Sequence, residues 1–151
     1  MQQDPVDILT VLQVLVDEFR RHENVGDRLV VTAECRDEFI VQGELDILGI
    51  TLRNLIENAV RYGAPDEPIE IVIERGRQIR LLNGGAVISS ETLEGLKKPF
   101  VRGSSVGAGG GLGLAIVDSV MRQIGGSLTL ISPVMGRGSG FEARLVFPEP
   151  T

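Results

Sequence analysis

A chain of 151 residues with 42% apolar content and a formal charge of −6 is long enough for one buried core and too apolar to be disordered. The acidity argues against a general nucleic-acid binder, and the absence of Trp beside one Tyr and five Phe argues against a base-stacking surface. The single cysteine, Cys35, excludes an intrachain disulfide, suits a reducing compartment and reads as a buried, inert thiol.

Asp7 to Arg20 has the spacing of an amphipathic helix, with Ile8, Leu12, Leu15, Val16 and Phe19 on one side and Asp4-Pro5 as its start. Arg28 to Ala33 and Glu38 to Val41 read as two short strands around a polar turn. A second helix is predicted from Glu44 to Tyr62, stopped by Gly63-Ala-Pro-Asp-Glu-Pro68. Ile69 to Glu74 and Gln78 to Leu82 form a hairpin about Gly76, and Ser89 to Leu96 a short helix. Lys97 to Gly111 loses all pattern and gathers glycine, which reads as a mobile loop. Leu112 to Ile124 is helical again, Gly125-Gly126 ends it, and Leu128 to Ile131 and Phe141 to Phe147 close the chain as strands. Helices and strands are mixed without strict alternation. The expected class is α+β, a two-layer α/β sandwich whose mixed, mainly antiparallel sheet carries helices on one face. No repeat, linker or second domain is visible. No apolar run nears the roughly 18 residues that span a bilayer, and no signal peptide opens the chain, so direct membrane contact is not expected of this segment.

Two segments carry chemistry. On the second helix Leu48, Leu52, Leu55, Ile56 and Ala59 share one side, while Asn54, Asn58 and Arg61 gather on a separate arc. Asn is a mediocre helix former, so two on successive turns are a local oddity. Amide oxygens beside a guanidinium suit a hydrated divalent cation with phosphates; a solvated face is the alternative. Further on, Gly107-Ala-Gly-Gly-Gly-Leu-Gly-Leu-Ala-Ile-Val117 opens directly into an apolar helix. Unpaired N–H groups and the helix dipole favour a polyphosphate there, and glycines let it approach; a flexible hinge is the alternative. A Rossmann fingerprint is excluded, because Gly107 and Gly109 lead to Leu112, and a P-loop is excluded by the missing Lys-Ser/Thr.

Together these residues resemble the ATP-binding catalytic domain of sensor histidine kinases, in the superfamily (the Bergerat ATP-binding fold) shared with type II topoisomerases and Hsp90. Asn54-Leu-Ile-Glu-Asn58-Ala-Val-Arg-Tyr62 resembles the N box, with Gly43-Glu-Leu-Asp46 as its lead-in. Asn83-Gly-Gly85-Ala-Val87-Ile-Ser is similar to the adenine-binding G1 box, Asp-x-Gly-x-Gly. Lys98-Pro-Phe100-Val-Arg102-Gly resembles the F box, Gly109-Gly-Gly111-Leu112-Gly113-Leu114 the G2 box, and Gly136-Arg-Gly138-Ser139-Gly-Phe141 the closing strand entry. The order and spacing of the boxes cover most of the chain. The resemblance implies that Asn54 and Asn58 hold magnesium and that Arg61 stands at the phosphate-binding lysine position. It places Tyr62, Asn83 and Gly85 by the adenine, with Ser139 supporting that pocket indirectly. Gly109, Gly111 and Gly113, with Leu112 and Leu114, would form the lid backbone around the triphosphate. Phe100 would anchor the lid and Arg102 reach the γ-phosphate.

The implied reaction is phosphoryl transfer from ATP, with Mg2+, to a histidine on a separate dimerisation domain, for relay to a response regulator; catalysis falls to Arg61, Arg102 and the lid amides. Residues 1–151 would then be one catalytic domain, with 1–27 leading in from a dimerisation domain outside this chain. The setting would be cytoplasmic, within an inner-membrane sensor. His22 with Glu23 lacks the acceptor's usual continuation and reads as a surface histidine. The pattern departs from the family at Asn83, which keeps one acceptor oxygen but no charge, and at Val87, which replaces a glycine and could narrow the pocket or alter its turn. Weak nucleotide binding follows, along with an expectation that Asn83→Asp tightens it. Alternatives are a degenerate docking module of the same fold and an anti-sigma-type serine kinase.

Overall fold

The structure is a computed structural model and describes residues 4–35, 38–98 and 110–149. Five strands make its main sheet: β2 (Leu29–Ala33), β4 (Ile69–Glu74), β5 (Gln78–Asn83), β7 (Phe141–Val146) and β6 (Ser127–Ile131), in that spatial order. Only β2 and β4 are parallel; the other pairings are antiparallel. A further strand, β1 (Asp4–Asp7), pairs antiparallel with β3 (Ile40–Gly43) in a separate two-stranded sheet.

Two expectations change here. Arg28 to Ala33 and Glu38 to Val41 are not partners across a turn. β2 instead joins β4 in parallel, which needs a long crossover, and α2 (Leu45–Tyr62) supplies it. Asp4-Pro5 does not start a helix but lies in β1. The start of α1 (Ile8–Arg20) belongs to Asp7, whose Oδ1 accepts from the N–H of Leu9 at 3.1 Å and of Thr10 at 3.4 Å.

Register explains the core. Ile69, Ile71 and Ile73 lie opposite Asn83, Leu81 and Ile79, so one face of the β4–β5 hairpin is apolar. Onto that face pack Ile8, Leu12 and Val16 of α1 and Leu48, Leu52, Leu55 and Ile56 of α2. Leu114, Val117 and Met121 of α4 (Gly110–Gln123) complete the layer. The opposite parity faces away from the helices. There Val72 and Leu82 are covered by Val134, from the 132–140 loop, and Arg137 of that loop meets Glu70 at 3.1 Å. Beside them Glu142 is fully buried, with Arg80 at 3.0 Å and Arg144 at 2.8 Å, and Glu74 completes the cluster on Arg80 at 2.8 Å. Burial alone would push the Glu142 carboxyl up, but hydrogen bonds from Arg80 and Arg144 hold it below the usual carboxylate range.

The short helix α3 (Ser90–Leu96) is capped by Ser89, whose hydroxyl oxygen accepts from the Thr92 N–H at 3.2 Å. No described helix is long and apolar enough to cross a membrane.

Candidate functional site

The end of α2, the end of β5 and the start of β7 meet at one corner of the sandwich. The helix stops at Gly63, whose N–H donates to Ala59 O at 2.9 Å before the backbone turns extended. A side chain there would strike Ala59 O at 2.8 Å and Asn83 Cβ at 3.2 Å, so glycine lets β5 approach the helix end. Gly85 has φ +121°, and a Cβ on it would lie 2.8 Å from Tyr62 O. Its carbonyl accepts from Gly140 N–H at 2.9 Å, which joins the G1-like turn to the entry of β7.

Around this joint stand most of the sequence candidates. Tyr62 is half-buried, with its ring centroid 5.9 Å from that of Phe141. Asn83 is 1% exposed, and its Nδ2 donates to Gly84 O at 2.8 Å. One helical turn before Tyr62, Asn58 is 6% exposed. Among the described residues, two buried side-chain atoms lack a hydrogen-bond partner: Asn58 Nδ2 and Asn83 Oδ1. Groups so buried are ordinarily paired, so these two atoms are candidates to receive a partner from outside the chain. A solvated face is thereby excluded for Asn58. Asn54 is half-buried, and the start of α4 rests on it, with a Cβ built on Gly113 lying 3.9 Å from both Asn54 Cβ and Cγ.

Other candidates fall elsewhere. Arg61 is exposed and lines a groove with Phe19, His22, Asn24 and Glu57 at the end of α1, whereas Asn54 faces α4. Leu114 is fully buried in the core. α4 begins at Gly110, two residues before the predicted start, so Gly111 and Leu112 belong to its first turn. Ser139 is exposed, and its carbonyl accepts from Val134 N–H at 3.1 Å. Val87 is 50% exposed. His22 is exposed, as expected. Phe100, Arg102 and Gly109, and most of the expected loop, lie outside the described residues.

Sequence reasoning missed three braces. Ser132 accepts from Ile88 N–H at 2.9 Å and donates to Gly140 O, tying both sides of the glycine turn together. Arg28 donates to Ala64 O at 2.7 Å and Glu67 O at 3.0 Å, holding the segment after α2. Lys97 donates to Leu128 O at 2.7 Å and pairs with Asp118 of α4 at 3.2 Å. No local pattern announces any of these, because each partner is distant in sequence. The described residues hold no group of three or more His, Cys, Asp or Glu suited to a metal, so a cation here would rest on amide oxygens and on its ligand's own phosphates.

A helix bearing one buried and one half-buried asparagine, a glycine turn locked against it and a second glycine-led helix fit a nucleotide-binding class. Residues 43–151 match the family described as histidine kinase-, DNA gyrase B- and HSP90-like ATPases, and the chain belongs to that family. It is 30% identical to the sensor protein CutS of Streptomyces coelicolor over 158 aligned residues, which cover 98% of this chain and 36% of CutS. It is 39% identical to the sensor protein VanSC of Enterococcus gallinarum, over 85% of this chain and 37% of that protein. The chain thus spans little more than a third of these relatives' length. In structure it is similar to the mycobacterial sensor histidine kinase MprB, with a TM-score of 0.76, 25% identity and 97% coverage of both chains. The catalytic domain of histidine kinase ThkA shares the fold, with a TM-score of 0.77 at 22% identity, over 98% of this chain and 96% of that one.

Proposed function

We propose that this chain is the ATP-binding catalytic domain of a two-component sensor histidine kinase. It transfers the γ-phosphoryl group of ATP to a histidine on a separate dimerisation domain, for relay to a response regulator. The observation that carries this reading is the pair of bare buried atoms, a donor at Asn58 and an acceptor at Asn83, within one site of this family's fold. The residues fit a magnesium–nucleotide complex. Amide oxygens of Asn54 and Asn58 are hard donors suited to a divalent cation, and the Asn58 amide N–H can meet a phosphate oxygen. When bound, magnesium supplies charge neutralisation along the phosphates.

Tyr62 flanks the adenine and Asn83 Oδ1 accepts from its amino group, while Gly85 keeps the backbone clear. Arg61 reaches the phosphates by turning out of its groove and neutralises charge that develops there. The first-turn N–H groups of α4, at Gly111 to Gly113, face the triphosphate with the helix dipole behind them. Arg102, Phe100 and Gly109 take the lid roles the resemblance implies, closing the site until the acceptor docks. Catalysis is then positioning and charge placement rather than covalent chemistry. The acceptor histidine lies on another segment or chain, since His22 is a surface residue of the wrong context. The setting proposed is the cytoplasmic side of a membrane sensor.

The test is equilibrium titration with a non-hydrolysable ATP analogue, with and without magnesium. Saturable binding that needs magnesium is expected. A folded protein that binds nothing at millimolar analogue would leave a docking module of the same fold.

A further inference from the structure

The main sheet has two edges, and one of them carries a sequence that fits a copy of itself. β2 pairs with β4 on one side and with no described strand on the other. Glu34 N–H donates to Ile73 O at 2.8 Å. By the alternation of strand backbone, Val30 and Thr32 also turn to β4, and the backbone groups of Val31 and Ala33 point outward. The outward carbonyl of Leu29 is met by the exposed Arg20, whose Nη2 lies at 2.7 Å. Between this edge and α1 runs a groove of about 400 Å³, lined by Leu9, Leu12, Val16, Val31 and Ala33 among others. Leu29 to Ala33 holds no charged residue and no proline, so little in its sequence deters another strand from pairing.

The ends of β2 say which strand that is. At the Leu29 end Arg20 and Arg28 outweigh Asp27, and at the Ala33 end stands the exposed Glu34. None of Arg20, Arg28 and Glu34 joins an ion pair among the described residues. Both arginines spend their hydrogen bonds on backbone carbonyls. Laid antiparallel on a copy of itself about Val31, the strand sets Leu29 opposite Ala33 and Val30 opposite Thr32, with every side chain kept on its own face. Each basic end then lies beside the acidic end of the other copy, whereas a parallel copy would set like charge beside like. Val30, 41% exposed in the single chain, gains a neighbour on the open face. The opposite edge, β6, is flanked by Gly126 and Ser132 and has no such order of charge.

We propose that β2 is a contact edge between two copies of this chain, joined by a two-fold antiparallel β2–β2 pairing that merges their main sheets. Val31 of each copy exchanges both backbone hydrogen bonds with Val31 of the other, and Ala33 N–H meets Leu29 O. Arg20 turns from that carbonyl to Glu34 of the second copy. The same patch serves on both sides, so the assembly closes at two. The inference rests on the edge alone and is independent of the nucleotide reading.

The experiment is sedimentation equilibrium of this protein, of Glu34→Lys and of Val31→Pro, from about 10 to about 500 μM, at about 0.05 and about 0.5 M salt. The parent should form a reversible dimer that weakens as salt rises. Glu34→Lys sets like charges at both ends of the pairing, and should weaken the dimer by about tenfold at low salt, with the difference shrinking at high salt. Val31→Pro removes an outward N–H and no bond to β4, and should leave a folded monomer. Amide exchange adds a direct reading: protection of Val31 and Ala33 should rise with protein concentration. A parent that stays monomeric over the whole range overturns the proposal, as does a dimer that both variants leave intact. Protection of these two amides that ignores concentration also overturns it, because another part of the same chain would then cover the edge. If Val31→Pro does not fold, Glu34→Lys decides, and equal dimer affinity at low salt rejects the pairing.

Discussion

Two buried polar groups lie on different sides of this molecule, and the chain treats them in opposite ways. On the open face of the sheet, Glu142 is fully buried, yet each of its carboxylate oxygens is answered: Arg80 and Arg144 hold it, and Glu74 takes the remaining arm of Arg80. At the corner where α2 meets β5, Asn58 and Asn83 are nearly as buried, and each leaves one atom bare. The first cluster is satisfied from within and serves the fold. The second leaves polar atoms unpaired, which is costly, and on the proposed reading a nucleotide completes it. Burial of polar atoms alone does not distinguish structure from function; the state of their hydrogen bonds does.

That contrast can be broken by mutation. Glu142→Ala would leave Arg144 without its carboxylate and Arg80 with Glu74 alone, and should cost about 3 kcal/mol in denaturant unfolding, while nucleotide affinity stays unchanged. A cost under about 1 kcal/mol would mean the open face does not depend on the cluster. Asn58→Leu should do the reverse. Affinity for the ATP analogue should fall by about tenfold or more while stability holds within about 1 kcal/mol or rises, because an unpaired amide has been removed. Matching losses from both variants would erase the distinction.

Acid offers a finer probe. Because the folded Glu142 carboxyl sits below its ordinary 4.5, its stabilisation is fully present above that value and is lost as pH falls through the lower folded value. The stability gap between the protein and Glu142→Gln should therefore be constant from pH 6 to 8 and close on strong acidification. A gap that persists in acid would show that the charge is not its source. The smallest effect is expected at Arg53 and Glu18, which are joined at 2.6 Å but about 40% exposed. There Arg53→Ala should leave the denaturant midpoint nearly unchanged.

Helix faces and the β4–β5 hairpin were legible because their signals are local: a 3.6-residue period, a two-residue period and a glycine between two apolar runs. The amide arc of α2 was legible for the same reason, as was the departure at Asn83. The partner of β2 was not, since nothing in Leu29 to Ala33 names a strand forty residues away. Nor was the groove taken by Arg61, because a long side chain on the rim of an arc can turn to either side. Ser132, Arg28 and Lys97 were invisible for want of any local period. The fate of the Asn83 nitrogen needed Gly84 in place, since its partner is a backbone carbonyl that no pattern announces.

The small β1–β3 sheet has a mechanical consequence. Its register sets Asp4 beside Gly43, and α2 begins two residues beyond Gly43. A pull or twist applied to the chain ahead of Asp4 is therefore handed across a single pair of strands to the root of the asparagine-bearing helix. It need not travel through α1 or the rest of the layer.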